Sequence, residues 1–374
     1  MFNLFALIPL AVCLYEILSL ILPLKISMWL KILLSLILLS GLARTFLYRR
    51  TASGFDVIEL PYAVLMCVTL AFNFMIVAVF MVLTKDIVRI AWRLTAGAGS
   101  FPSSMASALV FVIAVFSTVW GTYNALSLPD INAHDVKISG LGRSLEGLKV
   151  AVMVDIHADT LSDRNFVRAI TDRTNALNPD IILLPGDFVD GTVNARYSDL
   201  EPLKDLKAKY GVYGVTGNHE YYFDYNNWMK KFADMGIRML ENESVIITSG
   251  DDSIAIAGKP DPTGGRMGLT APDTDAAVRD VPEGVPVILM DHQPGFVHEN
   301  AEHNVALQVS GHTHGGQMPG IYQLVKRANG GFVRGWYDVG NMKLYVSPGT
   351  SQWNGFALRL FDPAEITLFT LHAE

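Results

Sequence analysis

The sequence predicts two parts of different class: a transmembrane region of about four helices over residues 1–128, then an α/β sandwich domain over residues 140–374. Three observations predict it. Long apolar runs crowd the first third of the chain. Beyond them, short β-branched runs alternate with amphipathic helical stretches. Five of those runs each stop at a cluster of Asp, Asn and His. With 51% hydrophobic and 17% charged residues, and a mean hydropathy of +0.31, the 374-residue chain is more apolar than a soluble protein of its size. The change of pattern falls near Leu128-Pro129-Asp130.

A helix needs about 20 apolar residues to cross the hydrocarbon layer. The windows Phe2 to Leu24, Ile26 to Leu47, Leu60 to Leu83 and Ala106 to Leu126 meet that need. A buried core helix would explain any one of them, but a succession separated by short polar stretches argues for spans. Met1-Phe2-Asn3 supplies no basic region, so the first window is expected to be retained rather than cleaved as a signal peptide. Basic residues fall on both sides: Lys25, Lys85, Arg89 and Arg93 in the first and third connections, and Arg44, Arg49 and Arg50 in the second. A start without Lys or Arg, and a third connection (Lys85 to Arg93) patterned as a basic interfacial helix, place both termini outside the cytoplasm. The setting expected is a bacterial cell membrane with an extracytoplasmic domain. Asn73 and Asn124 read as interhelical hydrogen-bonding residues. Glu16 is a costly carboxylate within a span, the kind of group that often has a function. Cys13 and Cys67 lie inside apolar runs and say nothing about redox compartment.

The net charge of −7, without basic stripes, excludes nucleic acid as a partner. From Gly140 onward the strand-like runs deliver polar groups at their ends. Leu148 to Val154 leads into Asp155-Ile156-His157, Ile181 to Leu184 into Gly186-Asp187 and Asp190, and Val212 to Thr216 into Gly217-Asn218-His219-Glu220. Val287 to Met290 leads into Asp291-His292, and Val305 to Val309 into Gly311-His312-Thr313-His314-Gly315-Gly316. Active sites collect at such carboxyl ends of strands. Asn165 to Leu177 and Asn226 to Met235 read as amphipathic helices covering the sheets.

Carboxylate oxygen, amide oxygen and imidazole nitrogen suit hard and borderline divalent ions, and Asp155, His157, Asp187, Asn218, His292, His312 and His314 supply them without a thiolate. That set is too large for one tetrahedral ion and fits two ions sharing a bridging carboxylate, with positions left for water and substrate. Each cluster alone has a plainer explanation. Asp-x-His can be a turn or cap, Gly186-Asp187 a tight turn, and Asn218 an N-cap. Five such clusters in a fixed order, all of one chemical hardness, are not explained as independent turns.

These motifs, Asp155-x-His157, Gly186-Asp187-x-x-Asp190, Gly217-Asn218-His219-Glu220, His292 and Gly311-His312-x-His314, resemble the calcineurin-like metallophosphoesterase superfamily, and within it the membrane-associated branch. The resemblance covers about residues 140–374 and extends to Leu344 to Gly349 and Pro363 to Ile366. Pro348-Gly349-Thr350 departs from it, since many relatives carry a more glycine-rich turn there. The resemblance implies a four-layer α/β/β/α sandwich and a metal-dependent phosphoric ester hydrolase. It implies that Asp155, His157 and His314 hold one metal, that Asn218, His292 and His312 hold a second, and that Asp187 bridges them. It makes His219 the catalytic group that protonates the leaving oxygen or steadies charge on the phosphoryl group, with hydroxide activated by the metal pair as attacking group. Mn, Fe and Zn all suit such ligands. Asp190 and Glu220 read either as groups orienting imidazoles or ligands through hydrogen bonds, or as solvated carboxylates. Arg164, Arg196, Arg359 and Gln317 are set aside, because surface ion pairs explain the arginines equally well.

Tethering to a bilayer favours a lipid-linked phosphate or pyrophosphate substrate. Tyr221, Tyr222, Phe223, Trp228, Tyr322, Trp336 and Trp353 would either pack the core or seat an acyl chain at the rim. Two rival classes remain: a non-catalytic membrane scaffold built on a phosphoesterase fold, and a transport or sensing module regulated by the domain. The intact ligand set argues against the first, and spans nearly free of ionisable residues against the second.

Overall fold

The computed structural model describes residues 4–51, 54–95, 101–353 and 355–374. The chain divides into two compact units. One comprises residues 1–49, 57–124 and 355–360, and the other residues 50–56, 125–354 and 361–374.

The first unit is helical. Helix α1 (Leu4–Glu16) continues as a π-helical turn over Ile17–Ile21, and α2 (Met28–Ser40) runs on as a 3-10 segment to Phe46. Two short paired strands, β1 (Tyr48–Thr51) and β2 (Gly54–Val57), follow in the chain. Then come the 34-residue α3 (Tyr62–Thr95) and the 24-residue α4 (Ser103–Leu126). Among the described residues three helices are long and apolar enough to cross a membrane, Met28–Phe46, Tyr62–Thr95 and Ser103–Leu126. This corrects the expected four. The first apolar helix, Leu7–Ile21, is shorter. At 1.5 Å per residue it reaches only ~22 Å of the ~30 Å hydrocarbon layer. Its continuation is stopped at Leu22-Pro23, and a new helix starts after the Ser27 cap, whose hydroxyl accepts from Leu30 N at 3.4 Å. Phe2 and Asn3 of that window lie outside the described residues. The expected separate interfacial helix at Lys85 to Arg93 is instead an unbroken continuation of α3.

Several polar groups inside this unit are paired with one another. Asp86 accepts from Tyr15 at 2.8 Å and Ser19 at 2.7 Å and lies 3.2 Å from Lys85. Glu16 is fully buried, and among the described residues neither carboxylate oxygen has a hydrogen-bond partner. Asn73 and Asn124 make hydrogen bonds, but not only between helices. Asn73 Nδ2 donates to Thr122 Oγ1 (2.9 Å) and to the carbonyl of Ala357 (2.6 Å), and Asn124 donates to that of Arg359 (3.4 Å). Gly121 of α4 makes room for the same late segment, since a Cβ there would sit 2.6 Å from Leu358 Cδ1.

The second unit carries two six-stranded mixed sheets. Strand β3 (Asp130–Ile138) begins ahead of Gly140, and β4 (Lys149–Val152), α5 (Arg164–Ala176), β5 (Ile181–Leu184), α6 (Val193–Leu200), β6 (Val212–Gly214), α7 (Asn218–Tyr222), α8 (Tyr225–Asp234) and β7 (Ile237–Met239) follow. Then come β8 (Glu243–Ser249), β9 (Asp252–Gly258), α9 (Pro262–Arg266), α10 (Thr274–Val278), β10 (Val287–Met290), α11 (Val297–Asn300), β11 (Val305–Ser310), α12 (Ile321–Ala328), β12 (Gly335–Val339), β13 (Met342–Val346) and β14 (Glu365–Ala373). The first sheet has the order β3-β14-β4-β5-β6-β7 and the second β12-β13-β11-β10-β9-β8. β14 lies between β3, to which it runs parallel, and β4, to which it runs antiparallel.

The runs Ile181–Leu184 and Val287–Met290 are unbroken in apolar residues because all their side chains, on both faces of the strand, are buried. Successive side chains on a strand point to opposite faces. Ile181 and Leu183 therefore join Ile256, Ile288 and Leu307 of the second sheet in one buried cluster, while Ile182 and Leu184 join Val167, Ile170, Trp228 and Phe232 of α5 and α8 in another. Val287 and Leu289 turn the other way, toward Val297 of α11. The parallel strands β4, β5 and β6 of one sheet, and β10 and β11 of the other, thus present their carboxyl ends with their polar loops.

Candidate metal centre

Six of the seven predicted ligands, all but Asn218, come together with His219. Asp155, His157 and His314 form one group whose ligand atoms lie within 4.8 Å of one another; His157, Asp187 and His219 form a second, and Asp187, His292 and His312 a third. His157 and Asp187 each belong to two groups, so the three are joined in one cluster. Asp155, His157 and His292 are completely buried, and Asp187, Asn218, His219 and His314 nearly so.

The local backbone explains how side chains from five loops come so close. Asp155, His157, Asp187, His312 and His314 all have positive φ, between 44° and 70°. Such left-handed conformations are costly for non-glycine residues, and they cluster where geometry is imposed by function. Glycines supply the remaining room. A Cβ on Gly311 would lie 2.6 Å from Asp155 Oδ2, and one on Gly186 would lie 2.7 Å from His292 Nδ1.

Hydrogen bonds then orient the rings of His157 and His219. Asp190 accepts from Nδ1 of His219 at 2.5 Å and from Nδ1 of His157 at 3.2 Å, so one carboxylate orients two imidazoles. Glu220 takes the other expected duty and supports the loop of a predicted ligand, Asp187. It orients no imidazole and instead accepts the backbone N–H groups of Asp187 (3.0 Å), Phe188 (2.7 Å) and Gly217 (2.7 Å), tying two of the loops together. Asp187 Oδ1 accepts from His219 N at 2.9 Å. Its Oδ2 faces His292 Nε2 at 3.2 Å, His157 Nε2 at 3.5 Å and His219 Nε2 at 4.0 Å. Thr350, in the turn that departs from the family pattern, lends a hydroxyl to Val154 N (3.1 Å) and its own N–H to Val154 O (2.7 Å), a structural duty.

The electrostatics follow from burying several charges together. Burial raises the Asp155 carboxyl to about 6, with His292 opposing and Asp187 adding to the rise. Burial pulls His157 down, but Asp190, Asp187 and Asp155 outweigh it and hold the imidazole at about 9. Burial likewise pushes Asp190 up, yet His157 and His219 bring it to about 2. His312 goes the other way, to about 3, through burial and the neighbouring His292. Burial and Asp187 raise Glu220 to about 7.

The donor set fits divalent metal ions. His292 donates its Nδ1–H to Pro185 O at 2.7 Å, which leaves Nε2 as the nitrogen that faces the Asp187 carboxylate, at 3.2 Å. A proton on Nε2 satisfies that pair without a metal, and a divalent ion between the two would take its place. Nε2 atoms of His157 and His314 approach to 3.1 Å, and Asn218 Oδ1 is buried without a hydrogen-bond partner among the described residues. Imidazoles anchored through one nitrogen and open at the other, beside an orphaned amide oxygen, are what metal ligation requires.

The residues set aside have other duties. Arg164 pairs with Glu201 at 2.5 Å and Arg196 with Asp199 at 3.2 Å, while Arg359 is buried within the helical unit. Of the candidate rim aromatics, Trp228 is core, donating to Gly191 O at 2.9 Å, and Tyr221 stacks on Tyr225. Tyr222 has its ring 5.3 Å from that of His219.

Comparison with known proteins agrees with this geometry. The family model for calcineurin-like phosphoesterase matches residues 148–316. An uncharacterized metallophosphoesterase of Campylobacter jejuni is 34% identical over 70% of this chain and 68% of its own length. One from Helicobacter pylori is 33% identical over 70% of each. A protein of Bos taurus described as a transmembrane protein with metallophosphoesterase domain is 32% identical over 76% of this chain and 67% of its own. The chain belongs to the calcineurin-like metallophosphoesterase family. It is a metal-dependent phosphoester hydrolase, and its substrate is phosphorylated.

Proposed function

We propose that this chain is a membrane-anchored, dinuclear phosphoesterase that hydrolyses a phosphoester or pyrophosphate bond of a lipid-linked substrate. The observation that carries the reading is the central place of Asp187, whose Oδ2 stands 3.5 Å from His157 Nε2 on one side and 3.2 Å from His292 Nε2 on the other. Asp155, His157 and His314 would hold one ion, Asn218, His292 and His312 the other, and Asp187 would bridge them. Mn, Fe or Zn, when bound, would supply positive charge to the phosphoryl oxygens and acidify a water for in-line attack. His219 would serve as the proton donor. Its Nδ1 is engaged by Asp190, and Asp187 and Asp190 outweigh burial to raise its pKa, so the charged ring keeps a proton on Nε2 for the leaving oxygen.

The three long apolar helices, and the likeness to a relative described as transmembrane, support anchoring in a membrane. We read this as a bacterial cell membrane with the catalytic domain outside the cytoplasm. Tethering raises the effective concentration of enzyme on bilayer substrates, which favours a lipid phosphate or lipid-linked pyrophosphate over a soluble metabolite, and nothing favours nucleic acid. The division we propose is a membrane region to about residue 128 and a phosphoesterase domain from about residue 140, with β3 at its entrance. In that domain, helices over the outer face of each sheet would make the four α/β/β/α layers.

The test is hydrolysis of chromogenic phosphate mono- and diesters by the detergent-solubilised full chain after reconstitution with Mn. Metal-dependent turnover should vanish in Asp187→Asn and fall sharply in His219→Ala while that variant retains its metal. Unchanged turnover in Asp187→Asn would remove the bridging assignment.

A further inference from the structure

His292 is gripped from both sides by one short segment. On the side before it, Lys259 Nζ lies 3.1 Å from Asp291 Oδ2 and donates to Asn300 Oδ1 at 2.7 Å. Asn300 in turn donates to Asp291 Oδ2 and to Gln308 Oε1, both at 2.9 Å. Gln308 donates to Ser310 Oγ at 3.0 Å, and Ser310 Oγ donates to the carbonyl of Asp291 at 2.6 Å. The residue preceding His292 is thus held by both its side chain and its backbone, inside a ring whose members are at most 2% exposed. On the side after it, Asp261 Oδ2 accepts from Gln293 Nε2 at 2.7 Å. The amide of Asp261 also donates to Thr216 Oγ1 at 3.3 Å, two residues before Asn218.

Stability does not account for this arrangement. A buried Lys–Asp pair gives up the hydration of two charges, and apolar residues of similar volume commonly serve stability as well or better. What the pair does provide is a fixed position for the backbone on which His292 rides. The contacts are also one-sided. Lys259 and Asp261 reach the loops of His292 and Asn218, and among the described residues neither makes a hydrogen bond to Asp155, His157 or His314.

We propose that Lys259 and Asp261 are positioning residues for one of the two metal sites, the one held by Asn218, His292 and His312. The proposal rests on the dinuclear reading above. Loosening the clamp should selectively weaken that site, by about the 10–100-fold typical when groups supporting metal ligands are removed, and leave the other ion in place.

The experiment uses the full chain in detergent, loaded with Mn, dialysed, and assayed for metal content and for its electron paramagnetic resonance spectrum. Lys259→Met and Asp261→Asn are compared with the unmodified protein and with Leu371→Ala, a core change in β14, each with a thermal melt. Asp261→Asn removes one charge while keeping the side-chain shape, so the test survives if Lys259→Met does not fold. Metal content in the clamp variants should fall from a pair to a single ion, and the spectrum of a coupled pair should give way to that of an isolated ion. Leu371→Ala, with a comparable loss of melting temperature, should keep both ions. Retention of both ions in the clamp variants, loss of both together, or the same half-loss in Leu371→Ala would overturn the proposal. An unmodified protein that never holds a pair would instead overturn the dinuclear reading, and the clamp with it.

Discussion

Replacing Asp190 by Asn probes how one carboxylate serves two imidazoles. Asp190 is 1% exposed, so its hydrogen bonds are unscreened by solvent, and with its carboxyl held at about 2 it is ionised throughout any practical assay range. Its Oδ1 accepts from His219 at 2.5 Å and also lies 3.2 Å from His157 Nδ1, and its Oδ2 lies 3.2 Å from that same nitrogen. An Asn keeps one acceptor and turns an NH₂ donor toward whichever ring is left. Placing the amide oxygen at the Oδ1 position keeps the shorter bond, so His157 is left with a neutral acceptor it must share with His219, faces an NH₂ donor at the Oδ2 position, and loses the charge that strengthened its anchor. A hydrogen bond to a charged group is worth about 1.5–3 kcal/mol, and each ~1.4 kcal/mol is a tenfold change in an equilibrium constant. The expected result is therefore an affinity about 10–100-fold weaker for the ion held by Asp155, His157 and His314, in line with losses seen when such supporting groups are changed. Titration of the metal-free protein with Mn, read by the spectrum of bound Mn and by kcat/KM on a chromogenic ester, measures it. Metal affinity and kcat/KM both within twofold of the unmodified protein would refute the reasoning.

Glu220→Gln should lower stability by about 1–3 kcal/mol, because an amide keeps one acceptor for three backbone N–H groups and points a donor at another. A thermal melt of the detergent-solubilised chain checks it, and an unchanged melt would mean the loops are held otherwise. Gly311→Ala places a methyl 2.3 Å from Val154 Cγ2 and 2.6 Å from Asp155 Oδ2. Metal content and turnover should fall together while the fold, read by circular dichroism, persists; full metal content would show that Asp155 can yield without cost. Asn73→Leu removes the donor to Ala357 O and Thr122 Oγ1, and interhelical polar contacts in membranes are worth about 0.6–2 kcal/mol. A modest drop in the melting temperature is expected, and a loss of several kcal/mol would point to a larger role for the segment at residues 355–360.

The catalytic part was legible because its logic is local. Ile181–Leu184 and Val287–Met290 are strands with the bounds their apolar runs indicate, and the helices at Arg164–Ala176 and Tyr225–Asp234 lie within a residue of the expected ones. A strand buried on both faces needs an unbroken apolar run, and its loop needs polar groups, so the sequence marks both ends of each unit. The ligand types were legible for the same reason: chemistry selects Asp, Asn and His irrespective of how the chain returns to them. The membrane region was less so. Hydropathy counted Phe2 to Leu24 as a span, while the helix depends on where Pro23 and the Ser27 cap interrupt it.

What escaped the sequence is side chain to backbone bonding across distance in the chain. Glu220 read as a group that could orient imidazoles or ligands, but which of them, and through which atoms, was not visible: its carboxylate turns to the N–H groups of Asp187 and Phe188, more than 30 positions earlier. Lys259 and Asp261 carry no motif at all, since a lysine after a strand ordinarily faces water; only the parallel pairing of β9 with β10 brings Lys259 beside Asp291. The residues that bind are dictated by the chemistry of the ion, but those that hold the binders are dictated by strand order. A search for motifs can find the first kind without the fold. The second becomes visible only when the sheet is assembled, which is why the support of the His292 loop, rather than its ligand, had to be read from the structure.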